Sequence, residues 1–222
     1  ARIMSMPKLP IFPLNTVLFP GHELPLRIFE HRYKQMLDDS LAGEARFVIA
    51  LIRDGLEVGG SATPREVGTV ARIENVGDRS ADVIPLVAVG ESRVRIVEMD
   101  DSLPYLAGDV EPIPEPIDSD TDPELLKRAQ SATARFARAM LMQLRGEWRA
   151  NPRMPDDPAL LGYKMGTLLS DRPTAAQRVL EAHTITERLQ QAAPAVEAAA
   201  AQFEARLMEQ GAADHRRGMH RN

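Results

Sequence analysis

The chain has 222 residues, 32 acidic and 27 basic side chains, and no cysteine. That length accommodates one large domain or two small ones, and buries about 70% of the unfolded surface without covalent staples. The missing cysteines exclude disulfides, thiolate metal sites and a cysteine nucleophile, and they fit a reducing, cytoplasmic setting.

Charge is uneven along the chain. Residues 1–111 carry 12 basic and 17 acidic side chains, and residues 112–222 carry 15 of each. Neither half is basic, which argues against phosphate-driven nucleic-acid binding. All but Lys8, Lys34, Lys127 and Lys164 of the basic residues are arginine, a composition bias before a functional one. No apolar run reaches the roughly 18 residues of a membrane span, and Pro7 and Pro10 interrupt the short run where a secretory signal would lie. Met4 and Met6 are candidate natural starts, so the residues before them are left out of the fold reading.

In chain order, residues 9–19 and 24–29 read as extended segments. Pro13 and Pro25 confine them to edge strands or strand ends, and Pro20-Gly21 makes a turn between them. A helix follows over residues 30–42, with Tyr33, Met36, Leu37 and Leu41 on one stripe. Residues 46–52, 66–75, 82–89, 93–98 and 105–111 read as strands, rich in Val and Ile and bounded by Gly and Pro. In 68–74, Val70, Arg72 and Glu74 share one face; Thr69, Ala71 and Ile73 share the other. Such alternation predicts a sheet with one wet face.

Character changes near residue 112. Residues 112–122 form a Pro/Asp linker, placing a β domain in residues 1–117 and a helical domain in 118–222. Asp122-Pro123-Glu124 starts a helix running to about Arg149, with Leu126, Ala129, Thr133, Phe136, Met140, Leu144 and Trp148 on one stripe. Its spacing favours a bundle helix over a coiled coil. Further helices are predicted over about 158–169 and 173–192. A last Ala-rich helix carries Val196, Ala200, Phe203 and Leu207, and the tail from about 211 is polar and disordered. No internal repeat is visible.

A search for chemistry finds little. There is no P-loop, no G-x-G-x-x-G and no G-x-S-x-G. Val58-Gly59-Gly60-Ser61 reads as a plain turn. His22, His31, His183, His215 and His220 have no metal-ligand spacing. The run Asp118-Ser119-Asp120-Thr121-Asp122 fails as a calcium loop, because Pro123 and Ala129 occupy its Gly and Glu positions. Ser170 and Lys164 are the best Ser/Lys candidates, and a structural role suits Ser170 better. No catalytic, metal or cofactor residue is nominated.

One resemblance is specific. Leu9-Pro10-Ile11-Phe12-Pro13-Leu14, then Leu18-Phe19-Pro20-Gly21 and Leu24-Pro25-Leu26, resembles the opening of the Lon protease N-terminal, substrate-binding domain. Val67-Gly68-Thr69-Val70-Ala71, Gly90-Glu91-Ser92-Arg93-Val94 and Tyr105-Leu106-Ala107-Gly108-Asp109-Val110-Glu111 resemble later strands of that family. Val179-Leu180-Glu181 and Glu187-Arg188-Leu189 are similar to its helical half, more loosely. The resemblance covers most of residues 9–192. It implies an α+β chain: an N-terminal PUA-like β pseudobarrel with one early helix, then a C-terminal helical bundle. Full Lon enzymes continue into ATPase and Ser–Lys protease domains, which this sequence does not show, so the resemblance implies a stand-alone, non-catalytic domain. Most motif residues read as scaffold: the prolines lock short strands, Gly21 supplies a positive φ, and Leu14, Leu18, Leu26 and Ile28 supply core.

The expected function is therefore binding of unfolded or extended polypeptide segments, along a sheet edge or between the two halves. No residue is assigned to the contact. Met140, Met142, Met154 and Met165 offer adaptable surface, although bundle core suits them better. The competing expectation is a protein-interaction or oligomerisation scaffold with weak self-association. RNA binding is opposed by the acidic β half, and membrane binding is not expected.

Overall fold

In the computed structural model, residues 8–116, 121–145 and 152–219 are described, with the backbone alone for Arg145 and 211–219. Met4, Met6, the Asp118 to Asp120 run, Trp148, Arg149 and His220 therefore lie outside the described residues, as does the His215 side chain. The chain divides into two units, Ala1–Glu115 and Pro116–Asn222.

The first unit is built on a ring of strands. β1 (Leu9–Leu14) pairs in parallel with β3 (Arg46–Gly55). Antiparallel pairs then join β3 to β4 (Ala62–Val76), β4 to β5 (Ile84–Asp100), β5 to β6 (Leu106–Pro112), and β6 back to β1. Closing the ring removes sheet edges, which are otherwise templates for unwanted pairing. β2 (Glu23–Ile28) stands outside the ring and, among the described residues, pairs only with β5. The helix α1 (His31–Ala42) buries Tyr33, Met36 and Leu37.

The strands carry core on two faces, and the expectation of one wet face is corrected. Phe47 and Ile49 of β3 join a cluster with Phe12, Ile73, Leu86 and the α1 stripe. Val48 and Ala50, between them, join a second cluster with Ile11, Val70, Val94 and Val110. With both faces buried, β3 reads as a continuous apolar run instead of an alternation.

A second correction concerns β5. The segments expected over 82–89 and 93–98 are one strand of 17 residues. Gly90 does not break it. A Cβ there would lie 2.4 Å from the Phe19 carbonyl oxygen, so glycine admits the Pro20-Gly21 turn against the strand. Gly21, at φ +75, donates to the Gly90 carbonyl at 2.8 Å, and the Gly90 N–H donates to His22 at 2.9 Å. Buried Thr69 ties the same turn down, donating to the Leu18 carbonyl at 2.6 Å. Three residues further, Arg93 is 1% exposed and holds the chain beyond β6. It donates to Glu115 at 3.0 Å and to the Pro114 carbonyl at 3.1 Å.

The second unit contains α2 (Pro123–Arg145), α3 (Pro158–Thr167), α4 (Pro173–Glu181) and α5 (Ile185–Met219). Asp122 caps α2 through the Glu124 N–H at 3.0 Å, and Asp157 caps α3 through the Ala159 N–H at 2.8 Å. Arg128 pairs with Glu197 and Arg135 with Glu204, each pair separated by the same 69 positions. A constant offset one heptad apart means that α2 and α5 run parallel, and α3 and α4 bring the chain back between them. Phe136 meets Phe203 edge-on in that seam, with ring centres 5.6 Å apart. The buried stripe on α2 ends near Met140, and Leu144, expected on it, is 73% exposed.

The helix expected over 173–192 stops at Glu181 and restarts at Ile185. The restart is a variant of the capping box: Thr184 accepts from the Glu187 N–H at 2.9 Å, and the Glu187 carboxylate takes the N–H of His183, one residue before the cap, at 2.7 Å. The helix end expected near residue 192 falls inside α5, which runs on through Pro194. Burial of Ala192, Ala193 and Val196 around it offsets the lost hydrogen bond, because packing decides helix stability more than propensity does. The α5 backbone continues through Gly211 to Met219. Arg188 is fully buried, 4.0 Å above the Tyr163 ring. Gly162 leaves room for its stem, since a Cβ there would fall 2.6 Å from Arg188 Cδ.

Candidate functional site

β2 is the one strand whose second edge no described strand pairs. Its burial alternates: Glu23, Pro25 and Arg27 are exposed, Leu24 and Leu26 half-buried, and Ile28 buried. The hydrogen-bond phase of the edge follows from its partner. The Gly90 N–H donates to His22, and the register runs from Glu23 opposite Val89 to Ile28 opposite Ile84. Antiparallel pairs alternate between bonded and non-bonded, so Leu24, Leu26 and Ile28 exchange bonds with β5. Pro25 and Pro85, which have no N–H, both fall in the non-bonded class, and the opposite phase would leave two bonds without donors. The backbone groups of Glu23, Pro25 and Arg27 therefore point to the open edge.

That edge borders a groove of about 260 Å³. Phe12 and Leu14 of β1 line it, from a stretch that pairs with β3 and lies past the β6 register, so Pro13 sits where β1 is paired on one side only. Tyr33 lies 4.4 Å from Phe12, ring centre to ring centre, and burial pushes its phenol up, so this wall is uncharged at neutral pH. Val58 and Glu57, from the β3–β4 hairpin tip, complete the rim.

The tip is held in place. Glu30 accepts from the Gly59 N–H at 3.3 Å and from Arg32, and Arg32 donates to the Gly60 carbonyl at 2.7 Å. Glu57 takes the Asn15 N–H at 2.8 Å. The Val58 to Ser61 run is thus a turn, as read, with Gly59 at φ +71, but a turn with a task. It presents Val58 and Leu56, 53% and 67% exposed, in the same half of the unit as Phe29 at 50%.

A larger cleft of about 390 Å³ includes Lys8, Asp39, Arg46, Asp100 and Tyr105, and each of these groups already has a polar partner. Lys8 pairs with Asp100 at 2.9 Å, Arg46 with Glu91 at 2.7 Å, and Tyr105 donates to Asp39 at 2.7 Å. Burial, then Asp39, pushes the Tyr105 phenol up to about 12. Among the methionines, Met165 is fully buried, Met140 and Met154 are half-buried, and Met142 is 49% exposed beside Leu207 and Met208. They do not gather into one surface. Ser170 and Lys164 are both exposed. His22 sits in the turn with its ring 3.0 Å from the Pro20 carbonyl, and His31 and His183 are exposed. Among the described residues no group of acidic or histidine side chains could hold a metal ion, and no helix is long and apolar enough to cross a membrane.

The sequence profile of the ATP-dependent protease La (LON) substrate-binding domain matches residues 8–196. The chain belongs to that family. The Lon protease of Syntrophus aciditrophicus is 27% identical over 199 residues, 86% of this chain and 25% of that protein. Lon protease 2 of Myxococcus xanthus is 35% identical over 107 residues, 47% of this chain and 13% of that protein. The chain thus spans a quarter or less of these relatives. Among solved structures, a Lon N-terminal domain protein from Xanthomonas campestris superposes with a TM-score of 0.59 at 26% identity, covering 84% of this chain and 96% of that one. The N-terminal domain of the Mycobacterium avium complex Lon protease gives 0.58 at 22% identity, a likeness of fold. The α+β architecture is therefore that of the Lon N-terminal domain. The family's proline motifs have a physical reading here: Pro20-Gly21 docks on Gly90, and Pro25 fixes the phase of an open edge.

Proposed function

We propose that this chain is a non-catalytic polypeptide-binding module that takes extended or unfolded segments at the β2 edge and the groove beside it. The open edge carries the reading: it offers backbone donors and acceptors that any extended chain can meet, whatever its sequence. Membership of the Lon substrate-binding family supports it. The groove is smaller than the roughly 300–1,000 Å³ usual for small-molecule sites, which favours side chains of a bound segment over a metabolite. Affinity of this kind is modest, with Kd values of about 1–100 μM, or 5–8 kcal/mol.

Titrating the protein into a labelled, permanently unfolded polypeptide tests the reading, with the folded form of that polypeptide as control and no ATP present. Saturable binding to the unfolded form alone is expected. Absence of binding at tens of micromolar would favour a second reading, an interaction or oligomerisation scaffold. That alternative has its own observation: Met142, Leu144 and Met208, 49%, 73% and 75% exposed, lie on the parallel α2–α5 pair. Concentration-dependent sedimentation would then report it.

A further inference from the structure

The phase of the β2 edge dictates how a segment can be held there. Glu23 and Arg27 turn both N–H and C=O outward, and Pro25 between them turns out only a carbonyl. We infer that a bound segment adds to β2 as an antiparallel strand, exchanging backbone bonds with Glu23 and Arg27 and donating one to Pro25, with every second side chain entering the groove. This rests on the polypeptide-binding reading and goes beyond it, because capture through apolar side chains alone needs no such register.

The occupant is an extended segment of alternating apolar and polar residues, without proline at its bonding positions. Three features select it. The two complete donor–acceptor pairs lie four residues apart, a spacing matched by an extended backbone and by no helix. Residues of the incoming strand opposite Glu23, Pro25 and Arg27 make the bonds and turn their side chains to solvent, on the face where those three are exposed. Residues opposite Leu26 and Ile28 turn theirs toward Phe12 and Leu14 in the groove. A slip by one residue would put polar side chains into the groove, so the alternation pins the register. The missing Pro25 donor has a further effect. It leaves the edge incomplete toward another rigid sheet edge, including a second copy of β2, yet a flexible segment still finds two full pairs.

The test uses the full chain and a labelled nine-residue peptide that alternates leucine with polar residues, read by fluorescence anisotropy. Two further peptides carry N-methyl groups, one on its central polar residues and one on its central leucines. An N-methyl group removes the donor and blocks the ladder, as proline does. The inference expects at least a tenfold loss for methylation at the polar positions and less than a threefold change at the leucines. Equal effects in the two phases, or a loss only at the leucines, overturns strand addition although the parent peptide binds. Failure of the parent peptide and of the unfolded polypeptide to bind overturns the polypeptide-binding reading itself.

Discussion

The Gly21 N–H donates to the carbonyl of Gly90 at 2.8 Å, and that contact locks the chain's Pro-Gly turn onto the middle of its longest strand. A methyl group at position 90 would meet the Phe19 carbonyl at 2.4 Å, a backbone atom that cannot swing aside. Gly90→Ala is expected to destabilise the β unit by about 1–3 kcal/mol, the usual cost of overpacking. Gly43→Ala is the control. Its Cβ would meet only ordinary contacts at 3.7 Å, and it should stay within about 0.5 kcal/mol in urea unfolding.

Arg93 should matter more than its exposed partner. It is buried, and it holds Glu115 and the Pro114 carbonyl, whereas the Glu115 side chain is 47% exposed. Arg93→Ala is expected to cost about 3 kcal/mol, because it empties a large buried side-chain site and strips the Pro114 carbonyl of its donor, while Glu115 itself can rehydrate. Glu115→Ala should cost about 1–2 kcal/mol: it leaves the Arg93 charge buried without its carboxylate, but the Pro114 carbonyl still accepts from it. Equal losses in paired unfolding curves would contradict this asymmetry.

The α2–α5 seam has a pH signature. Arg128 holds the Glu197 carboxyl below its ordinary range, and Arg135 does the same for Glu204. A carboxylate depressed in the folded state adds stability above its unfolded pKa and loses it as pH falls. The Glu197→Gln/Glu204→Gln double variant should therefore show a shallower fall in thermal midpoint between about pH 6 and pH 3 than the parent. The difference should shrink at high salt, because both pairs are partly exposed.

Pro25→Thr restores a donor to the open edge. Parent-peptide binding is expected to tighten about threefold to tenfold, the worth of one hydrogen bond of 0.5–1.5 kcal/mol. The variant should also self-associate more readily, which sedimentation would show. Phe29→Ser with Val58→Ser should weaken binding about tenfold while leaving stability within about 0.5 kcal/mol, since both side chains are half exposed already.

Much of the scaffold was legible in the sequence because its signals are local. Pro20-Gly21, the α1 stripe, the Asp122 cap and the strand-to-helix change near residue 112 each need only neighbouring residues. The two-sided burial of β3 was legible in its continuous apolar run, but the alternation in residues 68–74 pointed to one wet face instead. Gly90 looked like a break because its reason lies about seventy residues away, in the Phe19 carbonyl. A helix end was expected near residue 192, where α5 in fact continues, while the stronger signal, Thr184 with Glu187 three residues on, went unread. The candidate site was the least visible feature. Pro25 alone indicates an edge; its phase appears only when Pro85 is set opposite β2, and that pairing is non-local.

Amide hydrogen exchange resolved to single residues tests the central claim most directly. In the free protein the Leu24 and Leu26 amides, bonded to β5, should exchange slowly, and those of Glu23 and Arg27 quickly. Saturating with the alternating peptide should slow Glu23 and Arg27 by at least about tenfold, in line with newly bonded amides, and leave Leu24 and Leu26 unchanged. Binding that protects other regions while Glu23 and Arg27 exchange as before would contradict the account.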